Sequence, residues 1–117
     1  MTDILRIDQN ARRSRASVFG DLVFLAGQVA DDKTGDIGQQ TREALAKVDT
    51  MLALAGTEKS RLMSVQIWLR DMADFNGMNA VYDAWVTPNQ TPCRCCGKVE
   101  LADPAFRIEV IAIAARS

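Results

Sequence analysis

The 117-residue sequence has no histidine, and no other absence removes as much chemistry. Ser-His and Cys-His nucleophile pairs need an imidazole base, and the mixed Cys/His zinc signatures need an imidazole ligand, so both classes are excluded. Acid–base work is left to a carboxylate, a lysine, Tyr82 or a cysteine. The three cysteines all lie between Cys93 and Cys96, an odd, clustered set that builds no disulfide framework and agrees with a reducing compartment. The apolar runs fall well short of the roughly 18 residues of a membrane span, and the N-terminus lacks the apolar core of a signal peptide. A cytoplasmic location without a membrane partner is therefore expected. With 14 basic and 15 acidic residues there is no global field towards nucleic acid, and none is expected as a partner. The local exception is Arg12, Arg13 and Arg15, read as a solvated or interface cluster.

What is present is the composition of one ordinary globular domain, 48% hydrophobic and 25% charged. Leu5 and Ile7 alternate with Arg6 and Asp8 as a short first strand. A hairpin follows, with one arm from Arg13 to Val18, a turn at Gly20-Asp21, and a second arm from Leu22 to Val29. That second arm is apolar on both faces, which predicts a central strand covered on each side, and Gly27 within it predicts close approach by a backbone or a ligand. Asp36 and Gln39 form an N-cap signature for a long helix whose apolar residues run from Ile37 to Ala55, with Gly56 just beyond its end. The next alternation places Met63, Val65, Ile67 and Leu69 on one face and Ser64, Gln66 and Trp68 on the other. Asp74 is placed to cap a second helix carrying Phe75, Met78, Tyr82 and Trp85, mostly core residues, with Pro88 stopping it.

Pro92 belongs at a strand entrance, which makes Arg94 the first or second residue of a strand. Period-two alternation then puts Arg94 and Cys96 on one face, and Cys93 and Cys95 on the other. After a turn at Asp103-Pro104, the final strand runs from Arg107 to Ala115 and carries Glu109 among apolar neighbours. The order predicts an α+β domain, a mixed sheet of about six strands with both helices on one face.

A carboxylate on a buried strand needs a partner, and Arg94 is the candidate. Two readings follow: an Arg94–Glu109 ion pair that orders the core or an interface, or a site in which Arg94 grips a substrate carboxylate and Glu109 orients or activates a water. Metal binding is disfavoured, because alternation sends Cys95 away from Cys96 and no second pair closes a tetrahedral site. Were Arg94 close to Cys96, the thiol's pKa should fall.

Leu25-Ala26-Gly27-Gln28-Val29, Gln40-Thr41 with Ala44-Leu45, Asp71 to Phe75, Met78 to Tyr82, Pro92-Cys93-Arg94 and Ile108-Glu109-Val110 with Ile113-Ala114 recur in the order and spacing of a known set. In these segments, from about Arg6 to Ala115, the chain resembles the reactive intermediate deaminase A family, also called YjgF/YER057c/UK114. The resemblance implies a chorismate-mutase-like fold, a homotrimer with clefts between subunits, and cofactor-independent hydrolysis of reactive enamines and imines to 2-keto acids and ammonia. It implies that Arg94 holds the substrate carboxylate, that Glu109 serves the water, and that Gly27 and the backbone at Cys96 line the cleft. The chain departs from the pattern at Arg13, where archetypal members carry a tyrosine, and at Ala26, where they carry a serine; it is also one residue shorter after Arg94. The alternatives to a deaminase are a non-enzymatic trimer that binds or senses small carboxylates, and an endoribonuclease or translation inhibitor.

Overall fold

A computed structural model describes residues 3–116. Strands β1 (Leu5–Ile7), β2 (Ala16–Phe19) and β3 (Leu22–Leu25) lead into helix α1 (Ile37–Leu54), strand β4 (Leu62–Leu69), helix α2 (Phe75–Trp85) and strands β5 (Cys93–Lys98) and β6 (Ile108–Ala115). The sheet has six strands in the order β1-β2-β3-β6-β4-β5. Among the described residues β4 and β5 are the one parallel pair, and they are joined by α2 as a parallel crossover requires. Both helices pack on one face, burying Leu45, Val48, Met51, Leu52, Met78 and Tyr82 against Val23, Val65, Ile67, Ile108 and Val110.

Local chemistry explains most boundaries. Asp36 accepts the Gln39 N–H at 2.9 Å and starts α1, but the Gln39 side chain donates to Asp32 and Glu43, so the reciprocal half of the capping box is not made. At the far end Gly56 takes φ +82°, with Gly56 N–H donating to Ala53 and Thr57 N–H to Leu52, a Schellman closure of α1. The second helix departs from expectation: Asp74 makes no capping bond. Asp71 instead caps a 3-10 turn at Met72–Asp74 by accepting from Ala73 N–H at 2.9 Å, and Asp74 faces Arg107 at 3.5 Å.

Two strand expectations need correcting. A β-bulge between Leu62 and Ser64 shifts the pairing, so Met63 is 49% exposed while Leu62, Val65, Ile67 and Leu69 fill the core face. The second arm of the hairpin ends at Leu25, and beyond it only Gln28 bridges to Val110. The strand is central, yet its outer face is open: Leu22 and Phe24 are 40% and 45% exposed. The helices cover one side of the sheet alone.

A buried glutamine ties the loops to this frame. Gln40 donates to the carbonyls of Gly35 and Ala105 and accepts from Arg107 N–H at 2.8 Å, which anchors the approach to β6. Among the described residues no helix is long and apolar enough to cross a membrane.

Candidate functional site

Arg94 is the second residue of β5, as Pro92 requires, and its pairing partner is Val65, a core residue of the helix-covered face. Arg94 therefore rises on the helix side, where α2 presents Asn79 and Tyr82 one turn apart. Arg94 Nη1 donates to Asn79 Oδ1 at 2.7 Å, and the guanidinium carbon lies 4.8 Å from the Tyr82 ring centroid. A cation over an aromatic face with one of its five N–H groups used is held in orientation and keeps donors for a carboxylate. Asn79 and Tyr82 were not expected in this role; their i, i+3 spacing is the signal that could have paired them. Burial raises the Tyr82 pKa, and the charge of Arg94 only partly opposes it.

Cys96 shares the Arg94 face, packed against the core, while Cys93 and Cys95 are exposed on the other. The expected fall in the Cys96 pKa does not occur. Burial pushes the thiol up, and the nearby Arg94 lowers it by less.

Glu109 occupies the opposite face of the sheet. Its neighbours across the ladder are Trp68 and, one strand further, Gly97, whereas Val65, Arg94 and Ala112 form a row on the helix side. The carboxylate lies against Gly27: a methyl group built there would sit 1.8 Å from Glu109 Oε2. The close approach at Gly27 is thus made by a side chain, where a backbone or a ligand is expected from the sequence. Burial alone raises the Glu109 pKa, and among the described residues no hydrogen bond or ion pair satisfies the group.

The Arg94–Glu109 ion pair is not formed, because the two residues have opposite parity on the sheet. Arg13, Ala26 and Gly27 do come together, lining a concavity of about 470 Å³ with Arg15 and Lys47. The expected site residues thus fall into two groups: Arg94 and Cys96 on the helix side at the β5 edge, and Arg13, Ala26 and Gly27, with Glu109 beside Gly27, elsewhere. Arg12, the third basic residue of the N-terminal cluster, is exposed and does not line this concavity.

A mixed six-stranded sheet with two helices on one face defines an α+β protein of chorismate-mutase-like fold. Residues 4–116 match the family model described as Endoribonuclease L-PSP. A RutC family protein of Haemophilus ducreyi is 38% identical over 112 residues, covering 96% of this chain and 96% of that protein. A Salmonella typhimurium protein named 2-iminobutanoate/2-iminopropanoate deaminase is 32% identical over 104 residues, covering 83% of this chain and 81% of its own length. Among solved structures, an uncharacterised protein from Pseudomonas aeruginosa superposes with a TM-score of 0.95 at 39% identity, covering 98% of this chain and all (100%) of that one. The chain belongs to the YjgF/RutC family, the reactive intermediate deaminase A family of the sequence resemblance.

Proposed function

We propose that this protein is a cofactor-independent deaminase that hydrolyses 2-imino acids, and their enamine tautomers, to 2-keto acids and ammonia in clefts shared between the subunits of a homotrimer. The observation that carries this reading is the separation of its two charged groups. An oriented arginine with donors to spare and an unpaired, partly desolvated carboxylate stand on opposite faces of one chain, so a second copy is needed to bring one of each to a single ligand. The open outer face, with Leu22 and Phe24, offers apolar surface for that contact.

In the cleft Arg94 binds the substrate carboxylate and fixes the C=N carbon relative to Glu109 of a neighbouring copy. Water adds to that carbon of the protonated imine as Glu109 takes its proton, giving a neutral carbinolamine. Glu109 then returns the proton to the amine nitrogen, the C–N bond breaks as Glu109 takes the hydroxyl proton, and the keto acid and ammonia leave, that proton passing to ammonia or solvent. Desolvation raises the basicity of Glu109, which suits it to both steps. The relative named 2-iminobutanoate/2-iminopropanoate deaminase supports the reaction class. Endoribonuclease chemistry finds less support in a near-neutral chain with no histidine.

The test is ammonia release from imines generated in situ by an amino-acid oxidase. Arg94→Ala and Glu109→Gln are each expected to lower kcat/KM by about 100-fold or more. Wild-type rates in Arg94→Ala would sink the proposal. No turnover of any imine by the wild type, with keto-acid binding that depends on Arg94, would leave a carboxylate-binding assembly in its place.

A further inference from the structure

The concavity beside Gly27 is cationic, and its charges are unequally matched. Lys47 Nζ lies 2.6 Å from Asp31 Oδ1, and Arg15 Nη1 lies 3.3 Å from Asp8 Oδ2. Both acids of the concavity thus already face a neighbouring cation. Arg13 meets no carboxylate among the described residues; its Nη1 donates to the backbone carbonyl of Asp8 at 3.1 Å. Of the three cations that line the concavity, Arg13 is the one without a carboxylate partner among the described residues.

The loop that carries Arg13 is built to hold it. The Asn10 side chain accepts the N–H groups of Arg12 and Arg13, each at 2.8 Å, and Asn10 N–H returns to the Arg13 carbonyl at 2.9 Å. Asp8 adopts φ +52°, and its carbonyl accepts from the guanidinium. Arg15 connects this loop to the cleft wall by accepting the Ala26 N–H at 2.9 Å. The wall continues to Gly27, against which the Glu109 carboxylate rests.

We infer that the cleft takes dicarboxylic ligands, with 2-imino dicarboxylates as substrates: Arg94 of one copy holds the carboxylate next to the C=N carbon, and Arg13 receives the carboxylate at the far end. The inference rests on the deaminase reading for its chemistry and on the concavity for its specificity. A substrate with a methyl or ethyl side chain places nothing against Arg13. A side chain ending in a carboxylate places there the planar, two-oxygen anion that a guanidinium binds with paired N–H donors.

The experiment compares imines generated from glutamate with those from 2-aminobutanoate. The wild type is expected to favour the dicarboxylic imine in kcat/KM. Arg13→Ala is expected to cut that preference about 10- to 100-fold, chiefly through KM, and Arg13→Lys to recover part of it. A wild type that turns over both imines without preference, or a preference unchanged in Arg13→Ala, overturns the inference. Calorimetric binding of 2-oxoglutarate and 2-oxobutanoate separates the two readings. Tighter, Arg13-dependent binding of 2-oxoglutarate without turnover of any imine would end the deaminase reading and retain the dicarboxylate site. Equal binding of the two keto acids would end the site.

Discussion

The ionisation of Glu109 is set by its surroundings. Burial raises its pKa above the ordinary 4.5, so the folded chain holds this proton more tightly than the unfolded one. Its contribution to stability is therefore greatest below pH 4.5 and is lost as pH rises through the elevated folded-state pKa. Hydrogen bonds lower the pKa values of Asp32, Glu43 and Asp103, which act in the opposite sense, but they are common to wild type and variant and cancel in a comparison. Glu109→Gln is therefore expected to raise Tm at pH 7, with the gain shrinking towards zero as pH falls below 4.5. Thermal melts of both proteins across that range check it. A gain that persisted at low pH would show that ionisation of Glu109 is not its source.

At the scale of elements, the path from β3 to β4 depends on how α1 begins and ends. The Asp36 cap holds the Gln39 N–H, and the Gly56 closure turns the chain back towards β4. Asp36→Ala leaves that donor without its side-chain acceptor and is expected to cost about 1 kcal/mol, or roughly 4 °C in Tm. A calorimetric scan measures the loss, and an unchanged Tm would mean that water replaces the cap without cost. The 3-10 turn before α2 serves a different end: it fixes the helix so that Asn79 and Tyr82 overhang β5, which is how Arg94 gains its orientation.

For the whole molecule, the helices leave one face of the sheet open, and that face carries Leu22, Phe24 and Glu109 together. In the proposed trimer this surface meets neighbouring copies. Phe24→Glu places a charge where the apolar contact would form and is expected to shift the mass in solution from trimer towards monomer, with the far-UV circular dichroism retained. Analytical ultracentrifugation reads the shift. A wild-type protein sedimenting as a monomer would remove the shared cleft.

Residue order is enough for the local grammar. Strand entry at Pro92, the hairpin at Gly20, the span of α1 and the alternation of β6 are set by fixed φ, turn chemistry and periodicity, which act within a few residues. The absence of histidine likewise limited the chemistry before any contact was known. Tertiary structure alone decided relations between strands distant in sequence. The bulge that turns Met63 outwards, the opposite parity of Arg94 and Glu109, and the approach of Glu109 to Gly27 all depend on register, which no single strand encodes. The same holds for charge: Arg12, Arg13 and Arg15 read alike as a basic cluster, and only the fold gives Arg15 a carboxylate partner while leaving Arg13 with a backbone carbonyl. Electrostatic pairing is a property of positions in space, and the chain order does not carry it.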